Sequence, residues 1–381
     1  MSGVPFVDLA HEHEPLADEL RAALAATLER GDFILGLELE AFETDFAAYV
    51  GTAHAVGVGS GTAALGIAIR ALGIGPGDRV IVPAHTYIAS ALGVVHAGAE
   101  PLFCDVDPAT GLVDLDSAAV VVDGRTAALL AVHLYGQCCD LDALAAFAER
   151  HGIALIEDAA QAHGASWNGA GAGSGGRAGC FSFYPSKNLG ALGDGGMITT
   201  DDDELAAAAR RLRHLGQRGK GEHVEIGYNE RLDTIQAAAL RVKLPHLGAW
   251  NETRRRAADT YRSALGDAVP ILPERAGASD VFHLFPVRVQ ERQRLRERLA
   301  QAGIGTGIHY SPPVHRQPPF EHLAVEGAFP ASEAWAAEEL SLPIYAGIEP
   351  AQVERAAAAL LEALEDAPQG SAATSAGGSP Q

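Results

Sequence analysis

Only three lysines, Lys187, Lys220 and Lys243, stand among the 28 basic residues of this 381-residue chain. Lys220 lies in the polar loop GQRGKGEH and reads as a solvated cation. Lys243 sits near the end of the helical run AAALRVKLPHL and reads as a cation at a helix C-terminus. Lys187 differs: it follows the strand-like run GCFSFYPS and precedes the glycine-rich run NLGALGDGG. Glycines let a bulky ligand approach the backbone, and an amine there can serve as a nucleophile or imine former. The competing reading is a surface lysine in a turn. Asp158 closes the apolar run IALIED, with Gln161 and His163 close behind it. An acid at that place can meet a cation, or simply cap the next segment. Ser60, Gly61 and Thr62 fall between a strand pattern and a helix pattern. A helix start offers free N–H groups to a phosphate, although a plain Ser/Thr cap would look the same.

The elements that must position these residues alternate between strand and helix. HAVGV (54–58), RVIVP (79–83), PLFCDV (101–106), AALLAVH (127–133) and IALIED (153–158) read as strands. TAALGIAIRAL (62–72), TYIASALGVVHAG (86–98) and LDALAAFAERHG (141–152) read as helices. Near-continuous apolar strands separated by helices predict an α/β fold, with helices on both faces of a mostly parallel sheet. GIGPGD (73–78) and GDGGM (193–197) punctuate the units. Beyond residue 245 the pattern shifts to a polar helix (250–265), a strand (281–289) and a helix (291–303). We therefore expect a large domain over 1–245, a smaller C-terminal α+β domain over 246–366, and a disordered small-polar tail over 367–381. Ligands in such sheets gather at the strand carboxyl ends. A phosphate cradle, an acid at a strand end and a lysine beside glycines together meet the needs of pyridoxal 5′-phosphate (PLP). Its phosphate needs N–H donors, its pyridine nitrogen a carboxylate, and its aldehyde a lysine.

Acids outnumber bases 49 to 28, for a formal net charge of −21, which argues against a nucleic-acid partner. No apolar run approaches the length of a membrane span, and the N-terminus lacks the pattern of a signal peptide. Cys104, Cys138, Cys139 and Cys180 show no zinc-like spacing, so no metal is expected, and they read as reduced thiols of a cytoplasmic protein.

Beyond these physical readings, VGSGTAAL (58–65), VIVPAHTYIAS (80–90), VHLYGQ (132–137), IEDAAQAHGA (156–165) and CFSFYPSKNLGALGDGG (180–196) form a connected set of motifs. GYNERLDTIQAA (227–238), HYSPPVHRQ (309–317) and LSLPIY (340–345) extend it over nearly the whole chain. On these runs the sequence resembles the DegT-type nucleotide-sugar aminotransferases, a branch of the fold-type-I (aspartate-aminotransferase-like) PLP enzymes. The resemblance implies that Lys187 holds PLP as a Schiff base and shuttles a proton, and that Asp158 pairs with the pyridinium. It implies that Gly61, Thr62 and Ser182 hold the phosphate, that Tyr87 stacks on the ring and that Gln161 contacts the cofactor. Asn229 resembles a residue that reaches the phosphate from the other subunit of a homodimer with shared active sites. His309 and Tyr310 would line the sugar pocket. The implied reaction moves an amino group from L-glutamate to a nucleotide-linked keto-deoxysugar, with a dTDP-linked 3-keto-6-deoxyhexose preferred. A 4-keto-sugar, an aminocyclitol precursor (inosose), or a non-catalytic PLP-binding regulator are the alternatives.

Overall fold

A computed structural model of the chain describes residues 3–366, so the expectation for the tail lies outside the described residues. The strands His54–Val58 (β1), Arg79–Pro83 (β2), Glu100–Cys104 (β3), Thr126–Val132 (β4) and Ala154–Asp158 (β5) join Ala178–Ser182 and Gly196–Thr200 in one seven-stranded sheet. Its order is β1, Gly196–Thr200, Ala178–Ser182, β5, β4, β2, β3. Gly196–Thr200 runs antiparallel to both neighbours, and every other pair is parallel. This is the α/β architecture of fold-type-I transferases, as the strand–helix alternation predicts.

The period-two alternation of the strands divides the core. Val80, Val82, Ala128, Leu130, Ile156 and Cys180 face one apolar layer with the helices Gly61–Ala71, Ala89–His96 and Asp203–Arg213. Ile81, Leu129, Ala131, Leu155 and Phe181 face the other, beneath the helices Leu37–Val50, Leu141–His151 and Thr234–Lys243. The same parity sets Asp158 and Ser182 toward the first layer and Glu157 toward the second.

A third apolar cluster joins the helices Leu247–Leu265, Arg292–Gln301 and Pro350–Glu365 to an antiparallel pair, Phe285–Arg288 with Glu339–Leu342. The N-terminal segment belongs to it: Val4 is buried there and bonds to Gly303 and Gly305 through its backbone.

Several elements are shorter than the sequence suggests. The helix expected over 86–98 spans Ala89–His96, because the Thr86 hydroxyl bonds Ser90 and leaves Tyr87 in the preceding loop. The strand expected over 281–289 pairs only from Phe285 to Arg288. Upstream of it, Phe282 adopts φ 43°, and the N–H groups of Val281 and Leu284 donate to Gly136 and Tyr135 on the large sheet's side. The strand expected over 101–106 ends at Cys104, and Val106 makes a lone bridge to Val113. All four cysteines are buried free thiols.

Candidate active site

The carboxyl ends of the strands open on a cleft of about 490 Å³, within the usual range for a small-molecule site. Ser60 caps the helix Gly61–Ala71, its hydroxyl accepting from the Ala63 N–H at 3.1 Å. Among the described residues the N–H groups of Gly61 and Thr62 have no backbone partner, and both residues stand at the cleft wall. A β-carbon at position 61 would lie 2.6 Å from the Ser182 β-carbon. Glycine there lets the positive end of the helix close onto Ser182, forming a cradle for an anion.

Opposite the cradle, Asp158 ends β5 at 6% exposure. Its carboxylate accepts from the Ser90 hydroxyl at 2.7 Å and the Ala160 N–H at 3.2 Å. Burial nevertheless pushes its pKa up, against the opposing pull of these bonds and of Lys187. Lys187 lines the same cleft, and its Nζ donates to no protein acceptor among the described residues. Burial brings its pKa down to about 8, with Asp158 resisting the shift. An acid held too high and an amine held too low in one cleft mark a site arranged for proton transfer.

Gln161 lies between two parts of the wall. Its Oε1 accepts from the Tyr135 N–H at 2.6 Å, and its Nε2 donates to the Tyr310 hydroxyl at 2.9 Å. The Tyr310 ring lies 5.1 Å from that of Tyr87, which is 53% exposed and free to cover a planar ligand. His309 stacks on Phe6 at 5.6 Å, its pKa brought down to about 4 by burial and by Lys187. The cleft thus gathers Gly61, Thr62, Tyr87, Asp158, Gln161, Ser182, Lys187, His309 and Tyr310. Asn229 lies outside it, exposed, in a lone bridge with His214.

Sequence reasoning passed over several residues in the cleft wall or directly behind it. Ser90, which orients Asp158, sits inside the quoted run VIVPAHTYIAS. Phe6 arrives from the N-terminus through the pairing of Val4 with the C-terminal cluster. His283 was hidden in an apolar run read as continuous strand, where a lone polar residue was the available signal. Lys243 is also a correction to the picture of an ordinary helix-end cation. It is fully buried, bonding the Gly190 carbonyl at 2.6 Å and pairing with Glu12 at 2.9 Å.

The donor set fits PLP: unpartnered helix N–H groups for a phosphate, an under-satisfied carboxylate for a pyridinium, a free lysine for an aldehyde and an aromatic face for a ring. Fold and cleft together define a PLP-dependent transferase of fold type I. The chain belongs to the DegT/DnrJ/EryC1/StrS aminotransferase family, whose sequence profile matches residues 15–361. Aminotransferases of this family use PLP. Over 367 residues the chain is 49% identical to a dTDP-3-amino-3,4,6-trideoxy-α-D-glucose transaminase of Streptomyces venezuelae, covering 95% of this chain and 96% of that one. It is 45% identical to a pleiotropic regulatory protein of Geobacillus stearothermophilus, over 90% of this chain and 93% of that one. The crystal structure of S. venezuelae DesV in complex with a ketimine intermediate superposes with a TM-score of 0.94 at 46% identity, covering 96% and 99% of the two chains.

Proposed function

We propose that this aminotransferase carries an amino group from L-glutamate to a dTDP-linked 3-keto-6-deoxyhexose, in the cytoplasm, as a homodimer with shared active sites. The observation that carries the chemistry is the unpaired Lys187 amine facing the same cleft as Asp158. The substrate class is supported by the S. venezuelae transaminase, which is similar over nearly the full length. The reducing compartment agrees with four free thiols. We assign residues 1–245 to the cofactor-binding domain, apart from the N-terminal segment around Val4, which packs with the small domain of residues 246–366.

In this reading Lys187 holds the cofactor covalently at rest, and Gly61, Thr62 and Ser182 hold its phosphate. Bound PLP supplies an electron sink for the proton transfer at the amino-bearing carbon. Lys187 carries that proton at Nζ. A pKa of about 8 leaves part of the amine neutral near pH 8, able to accept and return it. Asp158, fixed by Ser90, keeps the ring nitrogen protonated, and its burial strengthens that pairing. Tyr87 covers the ring, and Gln161 both contacts the cofactor and fixes Tyr310 at the sugar side. The partner subunit completes the phosphate site with its own copy of Asn229. His309 and Tyr310 face the sugar.

The test is to convert the holoenzyme to its amine form with L-glutamate, which leaves as the 2-oxo acid, follow the loss of the visible band, and then add keto-sugars in turn. We expect the band to bleach and a dTDP-linked 3-keto-6-deoxyhexose to restore it with release of an aminosugar. Restoration only by a 4-keto-sugar or an inosose would move the substrate assignment. The resemblance to a regulatory protein favours one second reading, a cofactor-binding regulator. A band unmoved by glutamate would favour it.

A further inference from the structure

His283 stands in the cleft wall at 7% exposure, and the mechanism above makes no use of it. Its Nδ1 lies 3.1 Å from Oδ1 of Asn188, the residue after Lys187. A chain of amides locates the proton in that contact. Asn251 Nδ2 donates to the backbone carbonyl of His163 at 2.8 Å, which turns Asn251 Oδ1 toward Asn188. Asn188 Nδ2 donates to that oxygen at 2.9 Å and to the Val281 carbonyl at 3.0 Å. Both acceptors fix the orientation of the Asn188 amide, so it meets His283 with its oxygen, and only an Nδ1–H completes the contact. His283 is therefore the Nδ1–H tautomer, and Nε2 is a bare acceptor. Nε2 has no partner among the described residues, yet it is not among the polar atoms sealed from solvent. Burial, with the nearby charges of Lys187 and Arg254, opposes its protonation.

Each link of this chain is anchored by backbone, and it reaches the cleft beside the reacting amine. A neutral lone pair at that place repels carboxylates and phosphates and accepts from neutral O–H donors. We propose that His283 Nε2 accepts a hydrogen bond from a ring hydroxyl flanking the reacting carbon of the sugar. His283 is then a specificity-determining residue, and Asn188 is the positioning residue that sets its tautomer. The assignment rests on the keto-sugar reading above.

Two measurements on the holoenzyme test it. Nitrogen-15 NMR of histidine-labelled protein is expected to show His283 neutral with its proton on Nδ1, and a proton on Nε2 overturns the proposal without reference to any substrate. In the second, wild type and His283→Phe are compared on a dTDP-linked 3-keto-6-deoxyhexose and on its C2-deoxy and C4-deoxy analogues. Wild type should lose roughly tenfold in kcat/KM on one of the deoxy analogues, the worth of one neutral hydrogen bond. His283→Phe should lose about as much on the hydroxylated sugar, chiefly through KM, and should no longer distinguish that analogue. His283→Gln, whose side-chain oxygen can accept, should keep part of the discrimination, and it also serves if the Phe variant folds poorly. An unchanged ratio for both analogues overturns the role of His283 alone. A wild-type enzyme that aminates none of the three sugars instead defeats the keto-sugar reading and the proposal with it.

Discussion

Lys243 is fully buried and Lys187 half-buried at the cleft wall, and they are treated in opposite ways. Lys243 Nζ pairs with Glu12 at 2.9 Å, donates to the Gly190 carbonyl at 2.6 Å and lies 2.9 Å from His13 Nε2. Lys187 Nζ meets no acceptor among the described residues, and its pKa falls to about 8. Neighbouring residues of β5 repeat the contrast across the sheet. Glu157 accepts from His133 and from the N–H groups of Gly173, Gly175 and Gly176, all within 2.8 Å. Among the described residues the Asp158 carboxylate accepts only from Ser90 and Ala160, and it is pushed up by burial. A buried charge supplied with partners organises the fold, whereas one left short of partners at a cleft is completed by a ligand. The two kinds are also coupled: Lys243 holds Gly190, while Asn188 is held by Asn251 and Val281. The satisfied groups thus fasten the backbone that carries the unsatisfied one.

The sharpest break of this contrast is Lys187→Ala. It should remove the visible band of lysine-bound cofactor and lower kcat by roughly a thousandfold or more, on the scale of a lost acid–base group. Absorbance spectra and steady-state rates check it, and a variant retaining both would refute the assignment. Asp158→Asn should lower kcat by about a hundredfold or more. Its effect on the cofactor-free fold runs the other way. A carboxyl whose folded pKa is raised loses stability as pH rises from its unfolded value through its folded one, so the ionised group is a burden at neutral pH. Thermal unfolding of the cofactor-free variant at pH 7.5 should therefore show no loss. Glu157→Gln should do the reverse, unfolding earlier because an optimal acceptor for four donors is lost.

The contrast also separates what the sequence makes legible from what it hides. β1 and β2 occupy the residues expected, because apolar β-branched runs bounded by glycine and proline carry their own signal. Lys187, Asp158 and Gly61 stand at junctions whose residue types already suggest ligand chemistry. The burial of Lys243 is different in kind. It depends on Glu12 and His13, the latter 230 residues distant along the chain, and nothing local to AAALRVKLPHL announces such partners. Phe6 reaches the cleft by a similarly distant pairing. His283 was obscured by a period argument: an apolar run promised strand, and the positive φ at Phe282 breaks it there. Asn229 has no partner surface in a single chain, so the test of its role lies in a second copy.

Lys243→Met sharpens the structural half of the comparison. It leaves Glu12 buried without its cation, and breaking such a pair costs about 3–5 kcal/mol. Denaturant unfolding should show a loss of that size. Adding Glu12→Gln should recover part of it, since the stranded charge is gone. Below the lowered melting temperature the variant should keep its visible band, because Lys243 acts on the loop and not on the cofactor. A variant as stable as wild type would show that the ion pair is dispensable.

The smallest effect asked for is a difference in reactivity among the three lysines of the cofactor-free protein. Lys187 has a pKa near 8, below the ordinary value of 10.5. Below pH 8 it is protonated and unreactive, and above it the amine is free to attack an acylating reagent. Between the two values the unfolded chain binds more protons than the folded one, so this group's contribution to stability rises with pH across that window. Brief acylation followed by peptide mass spectrometry should give Lys187 a labelling midpoint near pH 8. Exposed Lys220 serves as the control that the reagent reaches the protein. Lys243, sealed by Glu12 and Gly190, should stay unlabelled until the protein unfolds. If Lys187 instead shows no labelling midpoint near pH 8, burial has not lowered its pKa, and the distinction between the partnered and unpartnered lysine loses its chemical meaning.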